Sequence, residues 1–422
     1  MTNQFFIHID ADAFFASVEQ CLHRELRHKP IVTGRDGSIA VAMSYEAKAL
    51  GVERAMPIHE IREKFPEVQM VASDYTMYRL YSDRMVTIIQ SYLPEIKRKS
   101  IDECCAEITR CVTSYSDAQK LAQSIREDLE TKLGCTFSIG ISSSPLLAKM
   151  ASGMEKPSGL TIIDAESNQD YYDMPIKQVS GLGKRLCFRL SRLGVVRIRD
   201  FIEKYPLIKK NFSVTIDDIY YQLKGHAPTR VRSEKPQQSM NRARSFKLTT
   251  SKEAVLGQLV LNYEHLMRKM RNQNLGCSRI YISLRDHERK STTGNRVLLR
   301  HTRDPKSIME SIQSLFNTLW KSGEGYRYVS LTFSGLRVQS TVQMNLFESP
   351  EQESSQETIY GMLDQLDAKF GKTVVSLGST LTLPKKLGSH LDPKRYPLTL
   401  QHPLLPGESL HRRVRYPFLG SI

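Results

Sequence analysis

Over the first ~165 residues, short apolar runs alternate with amphipathic helical periods, and this alternation restricts that part of the chain to a layered α+β or α/β domain. Phe5–Asp10 is rich in strand formers and is followed at once by a helical pattern over Ala13–Leu22. Ile39–Ser44 is a run of small residues, and Tyr45–Leu50 reads as a helix stopped by Gly51. Helices are predicted over Tyr78–Leu93, Ser116–Leu133 and Pro145–Met154, with a strand at Phe137–Ser142. Ile96–Glu107 reads as a strand region holding Asp102, Glu103 and Glu107.

Further along, the pattern changes. Asp164–Asp173 turns polar and is a plausible boundary, and Pro175–Gly225 reads as short helices without a strand signal. Gly225–Gln238, with two prolines and no periodicity, reads as a linker. Strands are predicted at Ser239–Leu248, Ser278–Arg285, Val297–His301 and Tyr326–Leu336, with helices at Lys252–Gln273 and Pro305–Trp320, which makes a second α+β unit. The run ESPEQESSQET carries four acids and no base and reads as a disordered spacer; one helix, Thr358–Phe370, and a Pro-rich stretch follow it.

Charge is unevenly placed along this frame. The chain has 60 Lys+Arg against 45 Asp+Glu, a net +15. Between Asn241 and Pro350 there are 18 Lys+Arg against 8 Asp+Glu, so about a quarter of the chain holds two thirds of the excess. A localised basic block suits a polyanionic partner, because cations that neutralise phosphates release condensed counterions. The seven cysteines form no CxxC and no spaced Cys/His set, which argues against structural zinc and for a reducing, cytoplasmic setting. No run approaches the ~18 apolar residues of a membrane span, and the N-terminus lacks the basic segment of a signal peptide.

Two acidic motifs stand at strand ends: Ile9-Asp10-Ala11-Asp12 and Ser100-Ile101-Asp102-Glu103. Carboxylates so placed, in a chain with a basic partner domain, suit Mg²⁺ chemistry on phosphates, since Mg²⁺ takes one or two carboxylates plus substrate oxygens. Two such ions stabilise the attacking and leaving oxygens of an in-line displacement. Either motif alone is also what solvated surface acids look like.

Taken together, IHIDADAFFASVEQ, SYEAKALGV, KSIDE and MEKPSGL resemble the Y-family DNA polymerases, the lesion-bypass class, in order and spacing over about residues 5–345. QVSGLGKRLCFRLSRLGV resembles that family's thumb helix-hairpin-helix, and QMNLF resembles a bacterial sliding-clamp-binding motif. Both the DinB and the UmuC branch fit: the N-terminal wording is nearer DinB, and the tail nearer UmuC. The resemblance implies an α+β right hand. Its palm would span residues 1–20 and 72–165, its small fingers 21–71 and its helical thumb 166–226. An α+β little finger would span 239–345, with a clamp-binding segment and tail at 346–422.

The resemblance also implies site residues. Asp10, Asp102 and Glu103 would be the catalytic metal ligands for two Mg²⁺, with the Ala11 carbonyl as a further ligand. Asp12 is a ligand candidate on composition alone. Tyr45, Lys48 and Lys156 would contact the triphosphate of an incoming dNTP; many relatives carry Arg where this chain has Lys48, and Lys keeps the charge but loses the bidentate fork. Phe15 aligns with the aromatic gate against a ribose 2′-OH, and Phe14 joins it as a nucleotide-binding candidate; core packing of an amphipathic helix is the other reading of both rings. One departure follows KSIDE: relatives carry a large apolar pair and an Asp, whereas Cys104, Cys105, Ala106 and Glu107 stand here, packing the strand with smaller groups.

For DNA, Gly181 and Gly183 let backbone approach a phosphate at a helix start, and Arg242 and Arg244 share one face of a strand. Gln343, Leu346 and Phe347 would anchor a clamp-bound peptide. The implied activity is template-directed, low-fidelity primer extension without proofreading, on primer-template DNA and away from membranes; accessory subunits stay open. Two other readings share parts of this pattern: a palm-type nucleotidyl cyclase, and a catalytically silent clamp-bound DNA-binding factor.

Overall fold

A computed structural model describes residues 4–34, 38–167, 169–212, 215–227, 236–338, 361–363 and 365–366. The described residues fall into two compact units, 4–227 and those from 236 onward.

The first unit runs β1 (Phe6–Ala11), α1 (Phe14–Leu22), β2 (Ile31–Gly34), β3 (Ala42–Met43), α2 (Tyr45–Ala49), α3 (Ile58–Lys64) and β4 (Gln69–Ala72). It continues with α4 (Tyr75–Tyr92), β5 (Lys97–Arg98), β6 (Glu103–Glu107), α5 (Tyr115–Leu133), β7 (Phe137–Ser142), α6 (Pro145–Met154) and β8 (Leu160–Ile163). Four short helices close it: α7 (Lys184–Ser191), α8 (Ile198–Glu203), α9 (Tyr205–Asn211) and α10 (Thr215–Leu223). The main sheet has the order β5-β6-β1-β7-β8, with β1 central and antiparallel to both neighbours.

The alternation of side chains along a strand gives this sheet two unlike faces. Ile7, Ile9, Cys104, Ala106, Phe137, Ile139 and Ile141 enter one core with residues of α4 and α5. Cys104 and Ala106, the small residues of the KSIDE departure, are buried there beside Tyr78, Tyr81 and Met85. The opposite face carries His8, Asp10, Glu103 and Gly140, and α6 lies across it. A Cβ on Gly140 would sit 2.0 Å from the Ala148 carbonyl oxygen and 2.3 Å from the Ser152 nitrogen, so this close approach of helix to sheet requires glycine. Helix α6 starts where it must: Ser144 Oγ accepts the Leu147 N–H and Pro145 stands in the first turn.

A separate three-stranded sheet, β3-β2-β4, has its own small core of Val32, Ala40, Ala47, Val52, Ile58, Ile61 and Val68. The sequence reading missed β2, β4, β8 and α3, which are four to seven residues long and too short for a clear period. It also extended the Ile96–Glu107 strand too far: β5 and β6 are separate, and Asp102 precedes β6 in a bend. The Asp164–Asp173 boundary is not a core boundary. Leu146, Leu147, Met150 and Ala151 of α6 share one core with Ile198, Phe201, Ile208 and Leu223 of the short helices.

The contact of α1 with α4 is made by an ionisable group. Glu19 is 0% exposed and accepts hydrogen bonds from the Tyr78 hydroxyl and, at 3.4 Å, the Asp74 N–H. Burial pushes its carboxyl up to about 7, against the pull of those hydrogen bonds.

The second unit runs β9 (Ser239–Thr249), α11 (Lys252–Asn272), β10 (Leu275–Asp286), β11 (Ser291–Thr302), α12 (Pro305–Leu319), β12 (Tyr326–Ser334) and β13 (Arg337–Val338). Its sheet has the order β11-β10-β12-β9, with β13 paired to β10. Both helices pack one face, over Ile280, Ile282, Leu284, Val329, Leu331 and Phe333. All six elements predicted for this unit are present, with β11 starting six residues earlier than the reading placed it. The predicted helix at Thr358–Phe370 lies largely outside the described residues; those described within it, 361–363 and 365–366, are helical.

Two predictions follow from packing. Gly140→Ala should cost about 3 kcal/mol or more, since the clash is with helix backbone rather than a movable side chain; urea unfolding measures this, and a loss under 1 kcal/mol would contradict the close approach. Glu19 binds its proton more tightly folded than unfolded, so its burial destabilises the protein increasingly as pH rises from about 4.5 to about 7, by roughly 3 kcal/mol in full. Glu19→Gln should therefore melt several degrees above wild type at pH 8, with the gap closing near pH 5; an equal gap at both pH values would count against this assignment.

Candidate active site

Strand pairing brings the acids together. Asp10 lies opposite Glu103 in the β1–β6 register, and the Ala11 N–H donates to the Asp102 carbonyl at 2.9 Å. Side-chain atoms of His8, Asp10 and Glu103 all lie within 4.8 Å of one another. Asp102 stands beside this group, its carboxylate accepting from the Ser100 hydroxyl. Asp12 is turned away into the protein: it is fully buried, with Oδ1 accepting from Ser138 Oγ at 2.8 Å and Oδ2 from the Ser158 N–H at 2.8 Å.

Two lysines counter the acids. Lys156 Nζ bonds Asp10 Oδ1 and lies 3.4 Å from Asp12 Oδ1. Lys149 Nζ bonds Glu103 Oε2, which also faces His8 Nε2 at 3.0 Å. Burial pushes the Asp10 carboxyl up, Lys156 pulls it back, and the negative charge of Asp102 adds to the rise. The same contacts with Asp10 and Asp12 hold the Lys156 ammonium charged against its burial. Glu103 is held down to about 2, first by its hydrogen bond from His8 and then, against burial, by Lys149. Hard oxygen donors already countered by cations are a donor set that fits a divalent ion, which would take over the charge balance now made by ammonium groups.

Of the residues expected on the nucleotide side, Lys156 and Tyr45 reach the same acids. Tyr45 begins α2, whose N-cap Ser44 accepts the Ala47 N–H. Burial raises the Tyr45 hydroxyl pKa, as do Asp12 and Asp10, and its hydrogen bond goes to Asp12. Lys48 Nζ lies 5.2 Å from the Tyr45 ring centroid, a cation–π contact. Phe14 is buried in the core, while Phe15 is half-buried and stacks on Tyr78 at 4.2 Å between centroids, with Tyr75 edge-on at 5.7 Å. Tyr78 thus ties Phe15 to the buried Glu19.

Sequence reasoning missed His8, Lys149 and Tyr78. For His8 a signal was present: a histidine inside an apolar strand two residues before Asp10 must share its face. Lys149 and Tyr78 sit on amphipathic helices, where nothing local marks their direction.

The expected DNA contacts divide. Gly181 has φ +93°, and a Cβ on Gly183 would meet nothing within 4 Å, so the loop before α7 is open to an approaching group. The element before this loop is a single 3-10 turn, Ile176–Gln178, rather than the full helix expected. Arg242 and Arg244 do share a face of β9, but it is the helix-covered one. They pair in register with Leu331 and Val329, and Arg242 Nη1 lies 2.9 Å from His265 Nε2 of α11. The open face carries Asn241 and Ser245 of β9, Arg279, Tyr281 and Arg285 of β10, and Tyr328, Ser330 and Thr332 of β12. Gln343, Leu346 and Phe347 lie outside the described residues.

Comparison with known proteins places this architecture. The impB/mucB/samB family model matches residues 9–153, and the model for the C-terminal domain of that family matches residues 237–346. The chain is 30% identical over 339 residues to the DNA polymerase IV of Streptococcus pneumoniae serotype 4, covering 78% of this chain and 96% of the relative. It is 29% identical over 389 residues to the DNA polymerase IV of Desulfatibacillum aliphaticivorans, covering 90% of this chain and 98% of the relative. In fold it is similar to a solved Y-family DNA polymerase chimera built on Dbh, with TM-score 0.70 at 22% identity over 79% of this chain and 100% of that one. A solved insertion ternary complex of Dbh DNA polymerase aligns with TM-score 0.53 at 22% identity, over 79% of this chain and 100% of that one. With both family models matched and polymerase IV relatives aligned over nearly their whole length, the chain belongs to the impB/mucB/samB family, as a DinB-like DNA polymerase of the Y family.

Proposed function

We propose that this translesion DNA polymerase performs its reaction, transfer of a nucleotidyl group from a dNTP to a primer 3′-OH with release of pyrophosphate, at Asp10, Asp102 and Glu103. The observation that carries the reading is the convergence of Asp10 and Glu103 across adjacent strands, each countered by its own lysine. In this reading Asp10, the Ala11 carbonyl, Asp102 and Glu103 would hold two Mg²⁺, which would supply activation of the 3′-OH and charge stabilisation of the leaving pyrophosphate. Lys156 would exchange its carboxylate partner for a triphosphate oxygen, and Tyr45 and Lys48 would hold the same triphosphate from α2. Phe15, braced by Tyr78 from behind, would close the sugar position to a 2′-OH. The cyclase and silent-factor readings lose their support, because the relatives named above are polymerases over nearly their full length and all three acids are present.

The right-hand assignment follows the same reading: palm 1–20 and 72–165, fingers 21–71 around the small β3-β2-β4 sheet, thumb 166–226, little finger 239–345. The shared core of α6 with the short helices supports a thumb mounted firmly on the palm. We move the duplex phosphate contacts of the little finger from Arg242 and Arg244 to the open face, where Arg279, Arg285 and Lys247 stand among hydroxyls. Among the described residues no helix is long and apolar enough to cross a membrane, which is compatible with work in the cytoplasm.

Asp102→Ala should lower primer extension by at least 10³-fold while leaving DNA affinity within about threefold. In the same assay, Phe15→Ala should raise ribonucleotide incorporation at least tenfold. Activity of Asp102→Ala within tenfold of wild type would overturn the metal assignment. The Gln343–Phe347 motif is our candidate for holding a bacterial sliding clamp, supported by an apolar Leu-Phe pair on an otherwise polar segment. Replacing Leu346 and Phe347 by Ala should leave synthesis on bare primer-template intact and remove stimulation by a loaded clamp; retained stimulation would place the clamp contact elsewhere.

A further inference from the structure

Among the groups outside the expected site, His8 has the most determined surroundings. It sits on β1 two residues before Asp10 and on the same face, 1% exposed. Its Nε2 lies 3.0 Å from Glu103 Oε2, and its Nδ1 lies 2.9 Å from Ser152 Oγ of α6. An ionised carboxylate only accepts, so the ring nitrogen facing Glu103 carries the proton and donates. Ser152 Oγ also lies 2.8 Å from the Lys149 carbonyl oxygen; its single proton goes to that carbonyl when Nδ1 carries a hydrogen and to Nδ1 when it does not. Gly140, opposite His8 in register, is the residue that lets α6 come this close. The ring is therefore clamped at both nitrogens, between a helix hydroxyl and one oxygen of Glu103.

We propose that His8 is a positioning residue of the polymerase reaction, which with Ser152 fixes the rotamer of Glu103 so that its carboxylate is presented to a divalent cation. This rests on the reading of Glu103 as a metal ligand. A donor that holds one carboxylate oxygen leaves the other to face the ion and removes the need to order the side chain on binding. Loss of such an outer partner typically weakens metal affinity or activity by 10–100-fold. Direct ligation by His8 is the competing role, and the two differ in what an amide can replace. Gln at position 8 can donate an N–H to Glu103 but is a poor substitute for an imidazole ligand.

The test measures Mn²⁺ binding to the full chain by electron paramagnetic resonance, without DNA or turnover, alongside the Mg²⁺ half-saturation of primer extension. His8→Leu should weaken Mn²⁺ binding by roughly 10–100-fold and raise the Mg²⁺ half-saturation in parallel. The KM for dNTP at saturating Mg²⁺ should stay within about twofold of wild type. His8→Gln should recover most of the loss, and Ser152→Ala should show a smaller loss of threefold or more. Glu103→Gln separates the two layers of the inference. If it binds Mn²⁺ like wild type, the ligand reading fails and the His8 role falls with it. If it loses binding while His8→Leu does not, the ligand reading stands and only the His8 role is overturned. Equal losses in His8→Leu and His8→Gln would assign the ring to direct ligation or to packing, against positioning. Should His8→Leu fail to fold, unchanged Mn²⁺ affinity in Ser152→Ala overturns the proposal by itself.

Discussion

The backbone contact between α6 and the main sheet at Gly140 is the constraint on which the rest of the catalytic unit depends. A helix lying on a sheet normally keeps its distance because side chains fill the gap; here one missing Cβ removes the filler. The consequence is chemical as well as mechanical. With the helix this low, Lys149 reaches Glu103 and Ser152 reaches His8. The chain leaving α6 then turns so that Lys156 meets Asp10 and the Ser158 N–H meets Asp12. The same helix carries Leu146, Leu147 and Met150 into the core of the short-helix region, so one element sets both the floor of the acidic cluster and the seat of the short helices.

Electrostatics follow from that geometry. Like charges gathered at strand ends repel, and burial raises the cost further. The site offsets this with an ammonium against each of Asp10 and Glu103 and one imidazole, leaving Glu103 firmly ionised and Asp10 raised by its burial. Glu19 is the opposite case. It lies between α1 and α4 with two hydrogen-bond donors and His23 Nε2 at 3.8 Å, and burial moves its carboxyl up to about 7. An acid in that position links the α1–α4 contact, and through Tyr78 the ring of Phe15, to the proton concentration outside.

The second unit shows where a periodic pattern stops being informative. Period two says that Arg242 and Arg244 share a face, and they do. Which face that is depends on where α11 and α12 dock, a choice made by contacts between residues distant in sequence, such as Arg242 and His265. The helices cover the side that includes both arginines, and the open side is left to residues such as Arg279, Tyr281 and Ser330 that no local pattern marks. The short elements β2, β4, β8 and α3 were illegible for a related reason: four to seven residues give too few repeats for a period to show, and their stability comes from the sheet and core they join.

By itself the sequence determined the α+β class, the order of the long elements, the two acidic motifs and the polymerase family. Each of these is written in local periodicity or in residues close together along the chain. Tertiary structure alone decided which acids face each other, which cations answer them and which side of the second sheet stays open. Asp10 and Glu103 are 93 residues apart, and His8 and Ser152 are 144 apart; only strand register and the descent of α6 onto Gly140 bring them within reach. A side chain's neighbours across a sheet are set by pairing and packing, which no stretch of sequence contains within itself.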